Sequence, residues 1–311
     1  MTALTDYYPS PDEVDWWCER ILERAGEADL QVEMLDEEVW PFRLGVRHTG
    51  GMFVSLKSKA LGDFYGFWQP CPSGRGPLLV HIPGYGAELS AHPELVADGY
   101  NVLHVSPLGY GTPQGPDESK RPDGRWPVFG DTARSLGKAG YVDWLAQAAS
   151  ATLWALGQEE VEPDRFAFFG TSQGGGMSVV LGSIFRDSGV RAVAGDVVAF
   201  SNLLGDFDVD SAQPGGLLSG PVADIAANRP DDLPAACKAL GFIDGLSHAR
   251  RMTMPTLVLA GADDTACTAE KIRTLFDRLP GTRSYTVVAG QKHAYTTPFL
   301  HMARAWFRLY V

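Results

Sequence analysis

The feature that most constrains the fold is a regular alternation of short apolar runs with helical stretches from residue 78 onward. The apolar runs are Leu78–Ile82, Asn101–Val105, Arg165–Phe169, Ala192–Phe200, Thr256–Ala260 and Ser284–Ala289. The helical stretches are Ala91–Asp98, Gly140–Leu156, Gly174–Arg186, Thr268–Leu279 and Pro298–Tyr310. Strands that alternate with helices form βαβ units, in which helices cover both faces of a parallel sheet. We therefore predict an α/β protein with a mostly parallel central sheet.

The residues before this alternation follow a different pattern. Ser10, Pro11 and Glu13 form the start signal of an amphipathic helix, which we expect to pack on the body of the domain. Period-two alternation and flanking glycines then predict N-terminal antiparallel strands at Phe42–His48, Met52–Ser58 and Phe64–Gln69.

Composition and charge exclude several classes of function. The formal net charge is −12, and an acidic surface repels phosphate backbones, so no nucleic-acid partner is expected. The sequence has neither a run of about 18 apolar residues nor the charged and apolar regions of a signal peptide. We therefore expect no membrane partner and a cytoplasmic location. The four cysteines lack C-x-x-C spacing, and no histidine cluster forms a ligand set, so neither a metal nor another cofactor is predicted.

The segment Gly170–Gly174 matches G-x-S-x-G, with Ser172 at its centre. An apolar run precedes it and a helical stretch follows it, which is the strand–turn–helix context of a nucleophile elbow. The glycines allow the tight turn, and the following helix presents its positive end to the serine hydroxyl. The alternative is a glycine-rich turn that binds phosphate, but no G-x-G-x-x-G motif or Walker lysine accompanies it. We predict that Ser172 is a nucleophile.

A serine nucleophile needs a base and an acid that orients the base. His293 comes three residues after the run Ser284–Gly290, on a loop at the end of the last predicted strand, where a sheet presents functional residues. His248 and His301 fit packing or surface roles better. Asp263 and Asp264 both follow the preceding strand, and either could orient the imidazole. The chain order serine, acid, histidine is that of α/β-hydrolases.

The reaction also needs hydrogen-bond donors for an oxyanion. The backbone N–H of Gln173, directly after the nucleophile, is one candidate. The other candidate is the N–H of Tyr85, in the loop after Leu78–Ile82, because Pro83 has no N–H to donate. An ordinary glycine-rich turn is the alternative for this loop.

These motifs resemble the acetyl xylan esterase and cephalosporin C deacetylase family of serine esterases, within the α/β-hydrolase superfamily. Gly170–Gly176 is close to its G-G-S-Q-G-G-G, and Gly261–Cys267 is similar to its G-L-x-D-x-x-C, which selects Asp264 as the acid. Pro83–Gly86 corresponds to its H-G-Y loop, although Pro83 replaces the histidine. The resemblance covers nearly the whole chain. It implies an α/β-hydrolase fold and cleavage of short acyl esters, such as acetyl esters, through an acyl-enzyme, without a cofactor.

The stretch Ser201–Arg251 interrupts the alternation within what we expect to be a single domain, residues 1–311. About 50 residues are too many for a simple connection, and loops at the carboxyl ends of strands surround the active site. We predict a cap at 201–251 that limits substrate size, with Phe207, Leu217 and Phe242 as substrate-pocket residues. A surface excursion or a contact between subunits of a homo-oligomer is the alternative.

Two other functions share this fold. A serine peptidase of the prolyl-oligopeptidase type has the same order of catalytic residues, but the chain has no room for a large propeller domain. A binding protein without catalysis is the second alternative, and it would have no need to retain Ser172, Asp264 and His293 together. The small-molecule ester hydrolase is therefore the preferred hypothesis.

Overall fold

The computed structural model describes residues 3–35, 50–86, 90–205, 207, 219–295 and 297–311. The strand expected at Phe42–His48 and the pocket residue Leu217 lie outside the described residues. The strands in chain order are β1 (Gln31–Met34), β2 (Met52–Lys57), β3 (Phe64–Gln69), β4 (Gly76–Ile82), β5 (Asn101–Ser106), β6 (Gly111–Thr112), β7 (Gly115–Pro116), β8 (Val161–Thr171), β9 (Val190–Asp196), β10 (Thr256–Gly261) and β11 (Arg283–Val288).

The helices surround this set of strands. In chain order they are α1 (Pro11–Gly26), α2 (Pro93–Ala97), α3 (Val128–Arg134), α4 (Tyr141–Leu156), α5 (Gln173–Ile184), α6 (Ser219–Asn228), α7 (Leu233–Gly241), α8 (Gly245–His248), α9 (Ala269–Arg278) and α10 (Thr297–Tyr310). Short 3-10 turns occur at Leu4–Tyr7, Pro107–Gly109, Glu118–Lys120, Pro122–Gly124, Pro230–Asp232 and Ala249–Arg251.

Among the described residues, nine strands form one sheet in the order β1-β2-β3-β5-β4-β8-β9-β10-β11, and β6 and β7 form a separate hairpin. In this order the pairs β1–β2, β2–β3 and β3–β5 are antiparallel. The pairs β5–β4, β4–β8, β8–β9, β9–β10 and β10–β11 are parallel. The expected α/β-hydrolase arrangement, with antiparallel strands at the N-terminal edge, is therefore confirmed.

Neighbouring residues of the central strands belong to two separate cores. In β8, Phe166 and Phe168 pack in the larger core with α1, α4 and α5, whereas Ala167 and Phe169 pack in the smaller core with α2 and α10. This alternation follows from the period of two residues in a strand. Helices therefore cover both faces of the sheet.

The N-terminal helix packs on the body of the domain, as expected. Ser10 caps α1, and its N–H donates to the Glu13 carboxylate at 2.9 Å. The buried face of α1 contacts α4 and α5. On the polar face of α1, Asp15 forms ion pairs with Arg250 and Arg251. Before the helix, the Tyr8 hydroxyl donates to Asp244 at 2.6 Å.

The strand before the stretch 201–251 ends earlier than expected, because β9 ends at Asp196 and not at Phe200. Val197, Phe200 and Asn202 all have positive φ angles, which are incompatible with a strand. The described part contains α6, α7 and α8, and buried apolar residues of this part join the larger core. The cap function of the stretch stays a prediction.

Candidate active site

The elbow after β8 places Ser172 in a strained conformation, with φ at 57° and ψ at −119°. The structure fixes this residue through backbone contacts. Its N–H donates to the Asp196 carbonyl at 2.8 Å, and its carbonyl accepts from the Ala199 N–H at 3.0 Å. Ser172 directly precedes α5, so its hydroxyl lies at the positive end of that helix.

Three glycines of the elbow are required by close backbone approach. A Cβ on Gly170 would lie 2.4 Å from the Ile82 carbonyl oxygen, and a Cβ on Gly174 would lie 2.1 Å from the same oxygen. A Cβ on Gly176 would lie 2.2 Å from the Ala199 oxygen. Such distances are far below van der Waals contact, so only glycine fits at these positions.

The structure brings Ser172, His293 and Asp264 together in one chain of hydrogen bonds. Ser172 Oγ lies 2.9 Å from His293 Nε2, and His293 Nδ1 lies 2.8 Å from Asp264 Oδ2. The serine follows β8, the aspartate follows β10 and the histidine follows β11. Since these strands are parallel, their carboxyl ends meet at one edge of the sheet.

The two candidate aspartates lie in different environments. The Asp264 side chain is completely buried, and its second oxygen, Oδ1, accepts the backbone N–H groups of Ala266 and Cys267, each at 2.8 Å. Asp263 is exposed, and its N–H donates to the Gln291 carbonyl. The geometry therefore joins Asp264, and not Asp263, to the imidazole.

The two candidate oxyanion donors lie on adjacent segments. Gln173 is the first residue of α5, where a backbone N–H has no partner within the helix. Tyr85 lies in the loop after β4, which pairs with β8. Burial raises the pKa of the Tyr85 phenol to about 12, so the side chain stays neutral.

The Gln173 side chain joins these two segments, which the sequence did not indicate. Its Nε2 donates to the Gly84 carbonyl at 3.1 Å and approaches the Pro83 carbonyl at 3.4 Å. Its Oε1 accepts a hydrogen bond from the Tyr141 hydroxyl at 2.6 Å. Tyr141 is 32 residues away along the chain, so no local motif could have pointed to it.

Ser172 and His293 open into a cleft of about 400 Å³. Its lining residues are His81, Pro83, Gly84, Tyr85, Ser90, Thr171, Ser172, Val197, His293, Ala294 and Tyr295. None of the described residues of 201–251 is part of this lining.

The pocket residues expected from that stretch lie elsewhere. The Phe242 ring stacks on Trp17 at 5.4 Å and lines a second cavity of about 470 Å³ beside α1 and α7. Phe207 is half-buried against the larger core. Assigning Phe242 to the Ser172 cleft was therefore wrong. The helix before it, α7, packs against α3 and the 3-10 turn Leu4–Tyr7, and the Phe242 ring stacks on Trp17 of α1.

Three histidines that are distant in sequence form a buried group beside the cleft. His81 Nδ1 lies 2.8 Å from His104 Nδ1, and the rings of His81 and His92 are 4.5 Å apart. Burial and the two neighbouring histidines hold the pKa of His81 well below its usual range. A neutral His81 therefore forms part of the cleft wall.

One set of possible metal ligands occurs among the described residues, namely Asp264, Cys267 and His293, with ligand atoms within 4.8 Å of one another. Burial, with the nearby Asp264 as a smaller cause, raises the pKa of the Cys267 thiol to about 12. Both Asp264 oxygens are already engaged, one by His293 Nδ1 and the other by the backbone N–H groups of Ala266 and Cys267. These groups fit a proton relay better than a metal site.

The sequence of residues 66–309 matches the family model described as acetyl xylan esterase. No curated protein matches the chain by sequence. Within the described residues, none of the helices combines the length and the apolar character needed to cross a bilayer.

Solved structures with the same fold include acetyl xylan esterase 1 from Thermoanaerobacterium sp. JW/SL YS485. It has a TM-score of 0.76 and 18% identity, and the match covers 96% of this chain and 94% of that one. For the acetyl xylan esterase from Paenibacillus sp. R4, the TM-score is 0.71 with 19% identity over 99% and 98% of the two chains.

A puromycin-hydrolyzing peptidase of Mycobacterium tuberculosis shares the fold more distantly. The TM-score is 0.54 with 14% identity, and the match covers 78% of this chain and 36% of that one. The fold is thus common to esterases and peptidases, and only the family model separates them.

Proposed function

The chain belongs to the acetyl xylan esterase family and hydrolyses carboxylic esters, and from this premise we propose that it removes short acyl groups, acetyl first, from carbohydrate alcohols. The observation that carries this proposal is the chain of hydrogen bonds from Ser172 through His293 to the buried Asp264, beside a cleft of about 400 Å³. That volume is near the lower end for small-molecule sites, which favours a short acyl group.

In the proposed acylation step, Ser172 Oγ attacks the ester carbonyl while His293 Nε2 accepts the serine proton. Asp264 orients the imidazole and stabilises its charged form. The N–H groups of Tyr85 and Gln173 stabilise the negative oxygen of the tetrahedral intermediate. His293 then donates the proton to the alkoxy oxygen as the carbon–oxygen bond breaks, and the alcohol leaves an acyl-serine.

In the proposed deacylation step, His293 removes a proton from a water molecule that attacks the acyl carbonyl. A second tetrahedral intermediate forms in the same oxyanion site and collapses. The carboxylic acid leaves, and the proton returns from His293 to Ser172. The half-exposed Tyr295 at the cleft offers an aromatic surface on which the alcohol part of a sugar ester can lie.

A covalent serine probe and an ester series test this proposal. A fluorophosphonate is expected to label the wild-type protein and the Ser90→Ala variant, but not Ser172→Ala. Ser90 is the matched control because it is another serine in the same cleft. Ser172→Ala should lose about 10⁴-fold or more in kcat while keeping its fold.

A comparison of substrates tests which acyl group and which alcohol the cleaved ester contains. Acetyl esters, including acetylated xylan, are expected to be cleaved faster than esters of longer acids. Aminoacyl anilides should be cleaved far more slowly than esters. Labelling at Ser90, or anilides that are cleaved as fast as esters, would contradict the proposal. The homo-oligomer and the cytoplasmic location also stay proposals, which light scattering and cell fractionation would test.

A further inference from the structure

A short network of side chains connects the nucleophile elbow to the loop after β4. The Tyr141 hydroxyl donates to Gln173 Oε1 at 2.6 Å, and Gln173 Nε2 donates to the Gly84 carbonyl at 3.1 Å. The direction of this network is fixed by chemistry. The carbonyls of Pro83 and Gly84 can only accept, so the amide nitrogen of Gln173 must face them and the amide oxygen must face the phenol.

The Gly84 carbonyl belongs to the same peptide unit as the Tyr85 N–H. A trans peptide is planar, and its C=O and N–H point in opposite directions. When Gln173 holds the Gly84 carbonyl on the buried side, the Tyr85 N–H is directed to the other side of the loop. The glutamine side chain thus orients one candidate oxyanion donor, while its own backbone N–H is the other.

We propose that Tyr141 is a positioning residue for the oxyanion site, acting through the Gln173 side chain on the Gly84–Tyr85 peptide. This inference rests on the proposed oxyanion roles of Tyr85 and Gln173. Tyr141 does not line the cleft and touches no reacting atom. Its contribution is to hold the Gln173 amide in the one orientation that fixes the loop.

The surroundings of Tyr141 suit such a role. The residue is completely buried at the start of α4, and its N–H donates to Thr132 Oγ1 at 2.8 Å. Gly140 before it has φ at 77°, and a Cβ there would lie 2.4 Å from Thr132 Oγ1. Burial raises the pKa of the Tyr141 phenol well above its usual range, which keeps the hydroxyl protonated and able to donate.

Tyr141→Phe removes only the hydroxyl and tests the proposal directly. We expect kcat to fall about tenfold, the size of one lost hydrogen bond, with KM within about twofold of wild type. The affinity for an alkyl boronic acid, whose serine adduct carries an oxygen in the oxyanion site, should fall by a similar factor. Gln173→Met should lower kcat by up to about a hundredfold, and the double variant should be no slower than Gln173→Met alone.

Tyr8→Phe is the matched control, because Tyr8 is also a largely buried tyrosine whose hydroxyl donates a 2.6 Å hydrogen bond, here to Asp244. This variant should lose thermal stability and keep its kcat. The proposal is overturned if Tyr141→Phe folds and retains wild-type kcat and boronic acid affinity, or if the two losses multiply in the double variant. If Tyr141→Phe does not fold, Gln173→Met decides by the same two measurements.

The same experiment separates this inference from the proposed function. Full activity in Ser172→Ala would refute the proposed function. An inactive Ser172→Ala together with a fully active Tyr141→Phe would refute only the positioning role.

Discussion

The Asp264 carboxylate is completely buried, yet it lies 2.8 Å from His293 Nδ1, whose imidazole is 35% exposed at the cleft. A buried carboxylate is thus joined to an imidazole that faces the cleft. The backbone N–H groups of Ala266 and Cys267 hold its other oxygen, so the carboxylate cannot rotate away. This arrangement distinguishes Asp264 from its exposed neighbour Asp263.

The first prediction compares these two aspartates. Asp264→Asn should lower kcat by about 10⁴-fold, because the amide favours the wrong imidazole tautomer. Asp263→Asn should change kcat less than about threefold, since its side chain is exposed. Steady-state kinetics on a short acyl ester measure both, and circular dichroism confirms that each variant is folded. A reversed ranking would assign the acid to Asp263.

A second prediction concerns Gly174 of the elbow. Gly174→Ala would place a Cβ 2.1 Å from the Ile82 carbonyl, so β4 and the loop after it must move. We expect a loss of about 1–3 kcal/mol of stability, together with a strong loss of kcat. Gly26→Ala is the control, because a Cβ at Gly26 meets nothing within 4 Å. Equal melting temperatures and rates in the two variants would refute this argument.

The third prediction separates the two cavities. Tyr295→Ala, at the Ser172 cleft, should change the relative kcat/KM across esters of increasing acyl or alcohol size. Phe242→Ala, in the second cavity, should leave that ranking unchanged and lower the unfolding free energy on the order of 1–2 kcal/mol, because it loses the Trp17 contact. An altered ester ranking in Phe242→Ala would restore this residue to the substrate pocket.

A fourth prediction is a loss of stability in acid that depends on His248. Burial lowers the pKa of this imidazole from 6.5 to about 4. The unfolded chain therefore binds the proton first, and the stabilisation is complete above about pH 6.5 and is lost as the pH falls toward 4. Over this pH range the free energy of unfolding should fall by about 3 kcal/mol.

Urea unfolding between pH 7.5 and 4.5 measures this loss in the wild type and in His248→Gln. The variant should be less stable at pH 7.5 but should lose less stability on acidification. His301→Gln is the control because His301 is exposed, and its profile should follow the wild type. If stability falls with pH to the same extent in His248→Gln and in the wild type, the acid-dependent loss does not come from His248.

The sequence predicted the sheet because strand and helix periods are visible in short windows. Ser172 and His293 each follow a recognisable strand, whereas the local pattern left Asp263 and Asp264 open and the family resemblance selected Asp264. The structure brings these three side chains together, and their catalytic roles stay a prediction. The end of β9 was not visible, because positive φ angles at Val197 and Phe200 arise from packing behind the elbow rather than from residue type. The Tyr141–Gln173 contact joins residues 32 positions apart, and the position of Phe242 depends on its stacking against Trp17 of α1. Such tertiary contacts leave no periodic signal.

The bonds that tie the N-terminal segment to the residues around Asp244 and Arg251 are formed late in synthesis. The Tyr8–Asp244 contact spans 236 positions, so it cannot form until residue 244 has left the ribosome. A lone helix of 16 residues is marginal in water, but the apolar face of α1 packs on α4 and α5, which are synthesised well before residue 244. A chain truncated before residue 244 therefore keeps the main docking face of α1 and loses the partners of Tyr8 and Asp15.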